Sequence, residues 1–150
     1  MQRSITHKHF IEISLYVILF IFYSSLATIY PFLPPMFAVL FLLFIRALES
    51  EDLFSLLVVS FCLVIFEANN SYPLFSSIIY FYIVYKFILP KLEKSISCKA
   101  CIKFFYVLIA YLGYFLFMSL IANIFLQTSP EISYYIIYYI VIEFFIVSIL

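Results

Sequence analysis

Two acids and a short amide pair are the groups best placed to do chemistry in an otherwise apolar chain. Glu143 interrupts the run Tyr135-Ile-Ile-Tyr-Tyr-Ile-Val-Ile-Glu143-Phe-Phe-Ile. A carboxyl inside an apolar helix is costly, so it serves either as a proton or ion site or as a group paired with an internal donor. The donors expected are Arg46, Lys86 or a tyrosine hydroxyl. Glu143 stands twelve positions after Glu131, about 18 Å along a helix axis, which predicts a place past the midplane of a spanning helix, toward its inner side. No second acid stands at a comparable depth in the sequence, so a relay has no second member. Glu67, Asn69 and Asn70 form the other cluster, at the end of an apolar run. They suit a partner or a lipid head group, or simply a capped, solvated turn. Asn69-Asn70-Ser71 also has the form of a glycosylation sequon, which matters only in a secretory eukaryotic setting.

The remaining reactive side chains point to little. Cys98 and Cys101 form one C-x-x-C pair in the most basic stretch, without the second ligand pair of a metal site or the context of a redox motif. Cys62 lies in an apolar run and behaves as a small hydrophobe. His7 and His9 are two histidines without further ligands, so no metal site or cofactor is expected. No P-loop, G-x-S-x-G or H-E-x-x-H occurs, and one glycine cannot build a phosphate cradle. These readings point away from an enzyme.

The elements that must position these groups are set by composition. The chain has 150 residues, 67% of them hydrophobic and 11% charged, with a mean hydropathy of +1.20. A soluble fold needs about 25% charged residues, so polar surface is too scarce to cover a water-exposed core. Eight basic and eight acidic residues balance, and no basic patch suits nucleic acid. With 14 Tyr and no Trp, tyrosine must supply the interfacial aromatic belt.

The predicted fold is all-α: a single domain over 1–150, a polytopic integral membrane protein of about six transmembrane helices. They are expected near Phe10–Ile29, Met36–Leu48, Leu53–Phe66, Leu74–Leu89, Ala100–Leu126 and Ile132–Leu150. Pro34-Pro35 and Pro90 punctuate the first and fourth ends, and Ser50-Glu51-Asp52 reads as a Ser cap with two acids opening the third helix. Helices two and three are short and form either full spans or a re-entrant hairpin. Arg3 and Lys8 before an apolar run ending in Ser25-Leu26-Ala27 also have the form of a cleavable signal, against which stands a retained first helix.

Charge gives the orientation. With the amino terminus inside, Arg3, Lys8, Arg46, Lys86, Lys91, Lys94, Lys99 and Lys103 all fall on the inner side, and the three outer turns hold no basic residue. The loop carrying Lys91, Lys94, Lys99 and Lys103 then anchors the topology, attracts anionic lipid or meets a cytoplasmic partner.

The run Leu63-Val-Ile-Phe-Glu67-Ala-Asn-Asn-Ser-Tyr-Pro-Leu74-Phe-Ser-Ser, with the short helix pair before it, resembles the rod shape-determining protein MreD family over about residues 34–126. Members have an apolar helix ending in an acid, a small-residue turn and a second apolar helix leading to a basic inner loop. Here Glu67 replaces the usual Asp, and Ala68 to Phe75 replaces a turn that commonly holds glycines. The basic tail that often follows the family's last helix has no counterpart before Leu150. The resemblance implies a non-catalytic scaffold of the bacterial inner membrane that helps regulate cell shape and peptidoglycan synthesis. Both termini would be cytoplasmic, and the partners would be MreC, the actin-like MreB and peptidoglycan synthases. The family is similar in fold to substrate-binding subunits of vitamin transporters. That makes a small-molecule binding subunit the alternative, with a pocket near Glu67, Asn69 and Asn123.

Overall fold

A computed structural model describes residues 2–129, 131 and 133–150, with side chains from residue 11 onward. Arg3, His7, Lys8 and His9 therefore lie outside the described side chains, and Ile132 lies outside the described residues. The described residues fold into six helices with no strand. We number them α1 (Gln2–Ile29), α2 (Phe37–Glu49), α3 (Leu53–Asn69), α4 (residues 76–95), α5 (Lys99–Ile124) and α6 (Tyr135–Ile149). Ile11–Ile29 and Lys99–Ile124 are long and apolar enough to cross a membrane.

The helices run alternately up and down. One end gathers the turns 30–36 and 70–75, the close of α5 and the start of α6; there Asn69 donates to Ser24 Oγ at 3.0 Å and Phe32 packs on Tyr138. The other end gathers the close of α2, the close of α4, the start of α5 and the close of α6. There Lys103 Nζ donates to Ser148 O at 3.2 Å and Arg46 to Leu150 O at 3.4 Å. Every basic side chain that is described belongs to this second end.

Several boundaries differ from those the sequence suggests, each for a local reason. α4 does not stop at Pro90. It passes through the proline as Leu89–Ser95, preceded by a π-turn over Val84–Ile88. Proline lacks an N–H and crowds the carbonyl of residue i−4, and a widened turn just upstream absorbs both defects. Lys91 and Lys94 thus sit on a helix, and the connection to α5 is short. At the start of α3 the cap is Asp52, whose carboxylate accepts from Phe54 N at 3.2 Å and Ser55 Oγ at 2.6 Å. Ser50 instead closes α2, donating to Arg46 O at 2.8 Å. α6 begins at Tyr135.

α5 carries a second π-turn, over Ile109–Gly113. Such a turn frees a carbonyl, and here Tyr80 donates to Ile109 O at 2.6 Å. Gly113 makes that approach possible, because a Cβ there would lie 1.9 Å from the Tyr80 hydroxyl. The chain's glycine is thus used for space. Positive φ is borne by Met36, Glu51, Ser71, Phe75 and Leu126 instead.

The core is aromatic. Phe37, Phe41 and Phe81 are fully enclosed, with ring centroids 5.0 Å apart for Phe37–Phe81 and 4.8 Å for Phe41–Phe81. Each such pair contributes about 0.5–1.5 kcal/mol beyond simple burial. The outer faces of the helices remain apolar, with Leu15, Phe22, Leu57, Leu116 and Phe145 all exposed.

Candidate functional site

The 30–36 segment is exposed over residues 30–32 and half-buried over 33–36, and its non-helical backbone leaves carbonyls that need donors from elsewhere. Tyrosines supply them. Tyr23 donates to Pro34 O at 2.7 Å and Tyr139 donates to Pro31 O. Met36 then takes a left-handed conformation (φ 56°) and α2 begins. That turn aims the first amides of α2 inward as an anion-binding nest.

Glu143 fills the nest. One carboxylate oxygen accepts from Phe37 N at 3.1 Å and from the Tyr111 hydroxyl; the other accepts from Ala38 N at 2.7 Å. The acid also sits at the positive end of the α2 dipole, which favours a carboxylate. Of the three donors expected from the sequence, a tyrosine hydroxyl takes the role, joined by two backbone amides, and Arg46 and Lys86 do not. Arg46 lies in the last turn of α2, exposed, at the opposite end. Glu143 is also shallower in its helix than expected. Counted from Tyr135, it is about 12 Å along α6.

Glu67 repeats the design. Phe75 takes the left-handed conformation (φ 68°) ahead of α4. One Glu67 oxygen accepts from Phe75 N at 2.6 Å; the other accepts from Ser77 N at 2.5 Å and Ser76 Oγ at 3.0 Å. The side chain is 0% exposed. It shapes the turn from within.

The two acids share one aromatic cluster. The Phe37 ring lies 4.7 Å from Tyr114 and 5.0 Å from Phe66. The Tyr114 hydroxyl in turn bonds Ser76 Oγ at 3.0 Å and Ser77 Oγ at 3.2 Å. No buried side-chain nitrogen or oxygen among the described residues lacks a partner. Sequence reasoning allowed a tyrosine hydroxyl for Glu143 but otherwise read tyrosine as interfacial, and so missed the wider network. The available signal was the count of tyrosines beside one glycine and six prolines, because irregular backbone in an apolar setting needs internal donors.

Asn69 and Asn70 are exposed at the turn after α3, where Asn70 also donates to Phe66 O at 2.8 Å. Asn70, Tyr72, Gln127, Thr128 and Ser129 line a cavity of about 430 Å³ between that turn and the end of α5. Glu67, Asn69 and Asn123 are not among its lining residues. Burial pushes the Tyr72 phenol up from its ordinary range.

Lys91, Lys94 and Lys99 are exposed and Lys103 is half-buried. Cys98 and Cys101 are both exposed and free, and Cys62 is buried. The hydrogen bond with Cys101 holds the Cys98 thiol below its usual range. No cluster of three or more His, Cys, Asp or Glu with metal-holding geometry occurs among the described residues. No family model, curated protein or solved structure matches the chain.

Proposed function

We propose that the chain is a six-span protein of a bacterial inner membrane, with Gln2 and Leu150 on the cytoplasmic side. In this reading it is a non-catalytic scaffold of the cell-elongation machinery, partnered by MreC, MreB and peptidoglycan synthases. The observation that carries the reading is the Glu67 turn. An acid ends α3, turns inward and holds the start of α4 through two amides and a serine. Within this turn Ser71 and Phe75 have positive φ, the conformation that glycine adopts without steric cost. Positive φ at these two positions is what glycines in such a turn would supply, which supports the resemblance.

The six-span topology is supported by the gathering of Arg46, Lys86, Lys91, Lys94, Lys99 and Lys103 at one end of an up-and-down bundle with apolar outer faces. The non-catalytic reading is supported by the commitment of both buried acids to backbone amides. The protein's own cysteines test the topology. An impermeant maleimide should label Cys98 and Cys101 only after the inner membrane is opened, whereas a Thr128→Cys variant should label in intact spheroplasts. Labelling of Cys98 in sealed cells would overturn the orientation.

Partnership is tested by mild-detergent capture of the tagged chain from its native cell. MreC and a peptidoglycan synthase should be recovered, and Glu67→Ala should reduce that recovery while leaving insertion intact. Recovery of ATPase subunits instead would favour a small-molecule uptake subunit. The cavity of about 430 Å³ lined by Asn70, Gln127, Thr128 and Ser129 is the observation behind that second reading.

A further inference from the structure

Arg46, Lys99 and Lys103 come from α2 and α5, yet they line one pocket of about 270 Å³ at the basic end of the bundle. Its walls are apolar: Leu42, Ile45, Ile102 and Val147. Glu49 also lines it, and the Tyr106 hydroxyl in its wall donates to Glu93 at 3.0 Å, so three cations face two carboxylates. Among the described residues no carboxylate side chain forms an ion pair with Arg46, Lys99 or Lys103. Arg46 donates to Leu150 O, at the end of the given sequence, and Lys103 to Ser148 O, which fixes their heads at the pocket.

Arg46 also lines a second, larger space. A groove of about 600 Å³ runs between α1, α2 and α3, walled by Val17, Phe20, Val39, Leu43 and Val59 among others. The two spaces therefore share one residue, Arg46, with cations lining the first and mainly apolar side chains lining the second. A free phosphate would use only the first, and a neutral lipid would leave the cations unanswered.

We infer that Arg46, Lys99 and Lys103 form a binding site for an anionic phospholipid, with its phosphodiester among the three cations and an acyl chain in the groove between α1 and α2. The inference rests on the membrane-spanning reading above. A basic pocket between helices at the inner interface attracts anionic head groups, and each cation near such a surface contributes about fivefold in affinity. Arginine adds planar, two-pronged hydrogen bonding to phosphate oxygens.

The test uses the full chain purified in mild detergent with equal amounts of phosphatidylglycerol and phosphatidylcholine. Retained lipid is counted by native mass spectrometry. The wild-type chain should keep phosphatidylglycerol in preference. Lys99→Gln should lower its retention about fivefold, and the triple variant Arg46→Gln, Lys99→Gln, Lys103→Gln should lose the preference. Lys91→Gln with Lys94→Gln removes charge outside the pocket and should change nothing. Equal retention of the two lipids by the wild type would overturn the site. So would equal losses in the pocket and control variants, or displacement of phosphatidylglycerol by millimolar inorganic phosphate. Lys99 takes part in none of the cation–carbonyl bonds to α6, so its variant keeps the test sound if the triple variant unfolds. Carbonate extraction separates the two levels. Release of the wild-type chain from membranes would overturn the spanning reading itself, whereas firm insertion without lipid preference would overturn the site alone.

Discussion

Glu143 and Glu67 sit in nests of nearly identical construction, yet they act over different distances along the chain. Each carboxylate follows the same pattern: one oxygen takes an amide and a hydroxyl, the other a single amide. Each nest opens with a large residue forced into the left-handed region, Met36 or Phe75. The Glu67 amides are eight and ten residues away in the chain, so the acid and the helix it starts belong to one hairpin. Glu143 reaches amides 105 and 106 residues away and ties the last helix to the second. The first device sets a local turn, and the second closes the bundle.

The difference sets the order of the expected effects. Glu143→Ala should be the most damaging. It strips the acceptor from two buried amides and a tyrosine hydroxyl, at about 1–3 kcal/mol for each stranded donor before relaxation. A net loss of about 4 kcal/mol follows if neighbours recover part of the cost. Unfolding of the purified chain in mixed micelles measures it. A loss below that of Glu67→Ala would break the assignment of Glu143 as the closing contact.

Glu67→Ala should cost less, about 2–3 kcal/mol on the same scale. Ser76 retains Tyr114 as a partner. Phe75 N is half-buried, beside a turn that opens on the polar cavity, so water can replace one lost bond. Insertion and the α1–α3 contact should persist. Protease access to residues 70–75 should rise, which limited proteolysis would detect. An unchanged turn would mean that the serines and Pro73 suffice to hold it.

How much of this was legible in the sequence follows the same division. The Glu67 turn was visible because its acid, its small polar residues and the next helix are contiguous. The six apolar runs and the charge asymmetry between their ends were visible for the same reason. Glu143 was visible as an anomaly with a tyrosine hydroxyl among its expected donors, but its amide partners were not, because nothing local marks Phe37 and Ala38 as donors. Pro90 misled: the proline rule predicts a stop, and the π-turn at Val84–Ile88 that cancels it has no sequence signature. The pocket shared by Arg46, Lys99 and Lys103 was equally hidden, since it depends on which helix ends meet.

The hydroxyl arms sharpen the comparison further. Tyr111→Phe should cost about 1–1.5 kcal/mol and Ser76→Ala slightly less, since neutral hydroxyl donors contribute about 1 kcal/mol net. The informative quantity is the coupling. Tyr111→Phe made in a Glu143→Ala background should cost far less than in the wild type, giving an interaction of about 1 kcal/mol in a double-mutant cycle. Additive losses would mean that Tyr111 stabilises α5 by ring packing on Phe37 rather than through the carboxylate.

The smallest effect concerns the residues that open the nests. A left-handed backbone costs a side-chain-bearing residue about 1–2 kcal/mol, and glycine recovers that at an entropic cost of about 0.5–1 kcal/mol. Phe75 is 56% exposed, so Phe75→Gly gives up little packing and should stabilise the chain by about 0.5 kcal/mol on this balance. Met36 is half-buried at the mouth of the deeper nest, where lost packing should cancel the gain and leave Met36→Gly neutral or slightly harmful. If both substitutions stabilise equally, the two nests are equivalent and the added depth of Glu143 does not matter at its entrance. If Phe75→Gly destabilises, the exposed ring is held against something outside the bundle, and the turn shaped by Glu67 becomes the first place to look for a bound partner.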